Sequence, residues 1–170
     1  MPPLDPAFVT DFAGRWLHAW NRHDGDAVAA LCTEDVELTD PVAGTVRGRA
    51  AVAEWIRACD RAFPDYRFEQ PEPPYLSPDR PKVLAPWRMT GTNTGRLDPP
   101  GFAPTGRRVA VEGIDHGWFR DGLVERYRSD YDTIGVLRQL GLVPAPGSAG
   151  ERALAALQRA TEAIASIARS

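Results

Sequence analysis

The run IDHGWFRDGLVERYRSDYDTIGVLRQLG, Ile114 to Gly141, constrains this chain more than any other stretch. Residues rich in β-branched and aromatic side chains run up to Asp121-Gly122 and away from it again, so two strands should meet at a tight turn. A short helix should follow, with Thr133 or the preceding Asp132 able to cap its start and Gly141 able to end it. Such a unit needs an antiparallel sheet around it and helices to cover one face.

The first part of the chain supplies those helices. Asp5-Pro6 is a capping acid followed by a first-turn proline. Val9, Phe12, Ala13, Trp16, Leu17 and Trp20 then recur at helical spacing, as do Val52, Trp55, Ile56, Cys59 and Phe63. A short helix is expected over Ala27–Leu31 and a strand over Val36–Thr39, stopped by Asp40-Pro41. Gly44 and Gly48 mark a loop. "YRFEQ" reads as a short strand, and "PEPPYLSPDRP" as a surface loop, because proline removes donors and fixes φ. Val83–Thr92 suits a strand with Pro86 at an edge or bulge. "NTGRLDPPGFAPTG" is long enough for a binding loop or lid. Helices first and strands after indicate α+β, as one curved, mostly antiparallel sheet of about five or six strands around helices. The open end of that cone is a natural place for a small-molecule pocket.

At 170 residues the chain can bury one core. The expected division is a domain over 1–144 and a helical extension over 145–170. That tail carries Leu154, Leu157, Thr161, Ile164 and Ala168 along one seam, which suits docking on its own body or on a sister subunit. A net charge of -3 argues against nucleic acid or an anionic membrane as the main partner. "MPPLDPAFVT" has no signal-peptide pattern and no stretch could span a bilayer, so the default location is the cytoplasm. Cys32 and Cys59 read as free buried thiols. His18 and His23 lack the spacing of a helical metal pair, so no metal is expected.

The hairpin can be read for faces. If Arg120-Asp121-Gly122 forms a three-residue loop, Phe119 pairs with Leu123 and Asp115 with Tyr127. One face then carries Val111, Gly113, Asp115, Gly117, Phe119, Leu123, Glu125, Tyr127, Ser129 and Tyr131. It mixes apolar, glycine and hydroxyl groups around one central acid, as a cavity wall would. The other face carries Glu112, Ile114, His116, Trp118, Val124, Arg126, Arg128, Asp130 and Asp132, as a solvated or subunit-facing surface would. Asp115 is therefore the expected proton-transferring group: an acid among tyrosines and apolar walls loses hydration, and its pKa rises toward neutrality. Ser129 could orient a substrate oxygen, with Tyr127 and Tyr131 beside it.

Several stretches in order, "HAWNRHD", "TDP", "PPGFAPTGRRV" and "DGLVERYRSDYDTIGVLRQLG", resemble the SnoaL-like polyketide cyclases, a branch of the nuclear transport factor 2-like superfamily. The resemblance spans roughly residues 8–144. It implies a cone-shaped α+β barrel, usually dimeric or larger, and cofactor-free acid–base chemistry on a polyketide-derived substrate. The family's aldol cyclases use an aspartate on the last strand and a histidine on the strand before it. Aligned on the D-G turn and the Q-L-G helix, those positions fall on Ser129 and Asp115. Asp40, Trp20 and Trp55 match positions that line the family's pocket. "YRSDYD" is also similar to a stretch of the limonene epoxide hydrolases, again with Ser129 in place of the acid. An Asp40/Glu69 pair would suit epoxide opening. The expected protein is thus a cyclase or isomerase of secondary metabolism. The alternatives are an epoxide-opening catalyst or a non-catalytic ligand-binding protein on the same fold.

Overall fold

The structure, a computed structural model, describes residues 4–98 and 100–168, with side chains as far as Ala165. Helix α1 (Pro6–Asn21) starts where Asp5 accepts a hydrogen bond from the Ala7 amide. Helix α2 (Gly25–Ala30) is followed by strand β1 (Cys32–Asp40), which turns into β2 (Gly44–Arg47). The segment read as a Gly44/Gly48 loop is therefore a second hairpin. Its register places Asp40 opposite Gly44.

Helix α3 (Arg49–Ala62) and the short strand β3 (Arg67–Glu69) come next. The proline-rich segment contains one more strand, β4 (Tyr75–Leu76), paired with β5 (Lys82–Thr92). Pro86 lies between the part of β5 that pairs with β4 and the part that pairs with β3. Its missing N–H is tolerated because no strand borders β5 on that side there.

The chain closes with β6 (Arg108–Arg120), β7 (Leu123–Tyr131), α4 (Thr133–Gln139) and α5 (Ala149–Ala168). The sheet has seven strands in the order β2-β1-β7-β6-β5-β3, with β4 also on β5. It exceeds the expected five or six because β2 and β4 lie inside segments rich in glycine and proline. All pairings are antiparallel except β1 with β7.

Helix α1 crosses the concave face as a line of rings. Phe8 and Phe12 meet Phe119 edge-on, Trp16 lies 5.3 Å from Tyr127, and Trp20 packs on Tyr66 and Phe68. Asn21 fixes the far end: its amide donates to the Phe68 carbonyl and accepts from the Phe68 N–H. A buried aromatic side chain contributes more apolar area than any other residue type, so this line dominates the core.

The β6–β7 hairpin departs from the expected pairing. Asp121 and Gly122 both have positive φ and form a two-residue turn, with Arg120 opposite Leu123. An extra residue, Glu125, then bulges from β7 between the Phe119–Val124 and Trp118–Arg126 pairs. Asp115 thus pairs with Ser129, not with Tyr127. Beyond the bulge the parity equals that of a three-residue loop. Within the last turn-side pairs it does not: Val124 is buried where Leu123 and Glu125 were expected to face inward. Glu125 instead pairs with Arg120. Asp132, not Thr133, caps α4 by accepting from the Gly135 amide.

Candidate functional site

Sheet and helices enclose a cavity of about 200 Å³. Asp40, Trp20, Trp55, Asp115, Tyr127, Ser129 and Tyr131 all line it, and Glu69 touches its rim. Asp130 and Asp132 do not. Asp130 lies on the outer face, bound to Arg128 and 3.0 Å from His116. The walls are chiefly aromatic and aliphatic, and among the described lining residues there is no lysine, arginine or histidine.

Asp115 sits at the centre of this chemistry. Ser129 Oγ donates to its Oδ1 at 2.8 Å, and Trp87 Nε1 donates to the same oxygen at 2.7 Å. Burial dominates its electrostatics and pushes its pKa up to about 7; hydrogen bonds from Tyr127, Ser129 and Trp87 pull the other way, and the charge of Asp40 adds to the rise. Neutral donors stabilise the anion only in part, and among the described lining residues no cation completes the compensation. Ser129 and Trp87 thus share Oδ1, and Tyr127 is a third hydrogen-bond partner of the carboxyl.

Trp87 is the member of this group that sequence reasoning missed. A tryptophan on a strand is more often a core residue than part of a polar site. The Trp87 indole lies across β6 opposite Gly113, where a Cβ would fall 2.3 Å from the ring. The signal was present: a glycine in the middle of a strand often marks a close approach. Using it requires the β5–β6 register.

Asp40 forms a turn and also faces the cavity. Its Oδ1 accepts from the Val42 and Ala43 amides at 2.7 and 3.0 Å. Tyr131 Oη reaches both carboxyl oxygens at 3.3 and 3.4 Å. Desolvation raises its pKa despite these donors. Glu69 is different. It is exposed on edge strand β3 opposite Arg88, and no hydrogen bond joins it to Asp40. Both acids nevertheless line the same cavity, Asp40 at the end of β1 and Glu69 on the edge strand. Cys59 is a further lining residue, a free thiol pushed well above its ordinary pKa by burial.

The long loop after β5 is pinned. The buried Asn93 side chain donates to the carbonyls of Ala62 and Gly95 and accepts from the Thr105 amide and hydroxyl. Leu97 from this loop is buried and plugs the cavity wall.

The model of the SnoaL-like domain matches residues 13–127. The chain belongs to the SnoaL-like domain family. Among solved structures, TsrD from Streptomyces laurentii is 25% identical with a TM-score of 0.70, covering 81% of this chain and 98% of its own. AclR from Streptomyces galilaeus is 23% identical with a TM-score of 0.69, covering 82% and 100%. A protein assigned as a SnoaL-like polyketide cyclase from Jannaschia sp. CCS1 is 18% identical with a TM-score of 0.70, covering 81% and 94%. A search of curated proteins finds no match. Within this SnoaL-like domain, the match ends at Tyr127, so Ser129 and Tyr131 are placed in the site by the structure alone. No helix among the described residues is long and apolar enough to cross a membrane.

Proposed function

We propose that this SnoaL-like protein is a cofactor-free acid–base catalyst, a cyclase or isomerase acting on an apolar, polyketide-derived small molecule. The observation that carries the reading is Asp115: a carboxyl enclosed in an apolar cavity, held near pH 7, with one oxygen oriented by Ser129 and Trp87. A base with such a pKa is efficient at neutral pH. The Asp115 carboxylate takes a proton from carbon next to a carbonyl and returns it at a second atom. Tyr131 Oη, held only by long contacts to Asp40, turns to the developing oxyanion. Trp20, Trp55 and Tyr127 hold the carbon skeleton. The deciding experiment is turnover of polyketide-derived ketones by the wild type and Asp115→Asn. The variant should fold normally and lose on the order of 10²–10⁴-fold in kcat, the usual scale of general acid–base catalysis. Full activity in Asp115→Asn, or equal activity in Asp115→Asn and Asp130→Asn, sinks the assignment and moves attention to Asp40.

We also propose a homodimer. Two features support it. The outer face of the sheet carries Trp118 between Lys82 and Arg126, at 4.6 and 4.2 Å, with Ile114 exposed nearby. The second is α5, whose Leu154, Leu157 and Ile164 are exposed; the side chain of Ala168, the last residue of the expected seam, lies outside the described residues.

A further inference from the structure

The cavity joins a shallow surface depression lined by Thr10, Ala13 and the segment Gln70–Pro74. Three residues, Ala13, Gln70 and Pro74, line both spaces and are half-buried. They mark where the interior meets solvent. We infer that ligands enter through a fixed slot between α1 and Gln70–Pro74, and that the side chain at position 13 sets its width.

Both sides of the slot are anchored. The segment begins just after Phe68, which Asn21 ties to α1 by two hydrogen bonds. It ends at Tyr75–Leu76, which pairs with β5. Between these anchors Pro71, Pro73 and Pro74 have φ fixed by their rings, so this wall cannot fold back as a flap. The facing wall is one turn of α1. There the cavity-lining neighbours Val9, Phe12, Trp16 and Leu17 are all bulky, and Ala13 is the gap among them. The long loop after β5 does not offer a second door, because Asn93 holds it and Leu97 is buried in the wall. Size selection therefore acts at entry, before any contact with Asp115.

A doorway residue and a wall residue differ kinetically. Narrowing a doorway raises the barrier for entry and exit alike and leaves affinity unchanged, whereas altering a wall changes affinity, mostly through the exit rate. The test uses 1-nitronaphthalene, an uncharged ring that quenches tryptophan emission, mixed with the protein in a stopped-flow instrument. Ala13→Leu should slow association and dissociation together, each by about tenfold, with Kd within about twofold of wild type. Thr10→Leu, on the exposed rim, should slow both by a smaller factor and guards against a misfolded Ala13 variant. Ala13→Gly should speed both. The inference is overturned if Ala13→Leu shifts Kd while the association rate holds, or if Leu97→Phe slows both rates and Ala13→Leu does not. Failure of the wild type to take up the probe at all would overturn it too, since an open slot admits a neutral ring of this size.

Discussion

At the scale of single residues, Asp115 ties function to stability. Burial lifts its pKa from 3.8 to about 7, so the folded protein holds a proton between about pH 4 and 7 that the unfolded chain has released. The resulting stabilisation is complete below about pH 4 and is lost as pH rises through 7. Asp115→Asn, neutral at every pH, should therefore be more stable than wild type at pH 8, on the order of 1–4 kcal/mol, and no more stable at pH 4. Urea melts at the two pH values measure this directly; an equal difference at both would contradict the buried-acid account. Trp87 should act through Asp115. Trp87→Phe removes a donor that favours the anion, so the activity profile, which rises as the carboxylate forms, should shift upward by about one pH unit. A profile unmoved by Trp87→Phe would leave the indole a mere packing group.

The Glu125 bulge is the feature that matters most among the elements. It keeps Asp115, Tyr127, Ser129 and Tyr131 on the cavity side while Phe119 and Val124 also point inward near the turn. Shifting a strand by one residue sends every side chain to the opposite face. Deleting Glu125, the extra residue, should leave Phe119 opposite Val124 and Asp115 opposite Ser129 in a regular ladder. Deleting Arg128, beyond the bulge, should instead turn Ser129 outward and Asp130 toward the apolar cavity. That deletion should cost on the order of 3 kcal/mol or more, measured as a lower urea midpoint. An Arg128 deletion as stable as wild type would mean that the strand recovers its register by another route.

The hairpin also illustrates how far sequence reaches. Alternation located the strands, and the contrast between one face and the other identified the cavity wall, because burial of a whole face leaves a period-two pattern. A bulge adds one residue just as a longer loop does, so pattern alone could not separate the two. Trp87 stayed hidden for a related reason: its partner Gly113 is set by the β5–β6 register across a loop of fifteen residues, from Asn93 to Arg107. The strands β2 and β4 were masked by glycines and prolines that usually signal turns.

For the whole molecule, the sheet face and α5 give separate predictions about assembly. Light scattering at micromolar concentration should give a dimer mass for the full chain. If the domain proper ends near residue 144, removal of residues 145–170 should leave the melting temperature almost unchanged, because α5 packs little against the body. Whether the truncated protein stays dimeric separates the two surfaces. A monomer for the full chain would exclude both.

The missing countercharge in the cavity has a calorimetric consequence. When a neutral ligand expels water from around Asp115, the carboxylate is desolvated further and its protonated form gains. Binding near pH 7 should then draw protons from the medium, so the heat of binding should depend on the ionisation enthalpy of the buffer. Phosphate and Tris, compared at one pH, would report the same affinity and different heats. Each ligand molecule would carry a fraction of a proton in with it, making this small cavity a consumer of acid before any bond is rearranged.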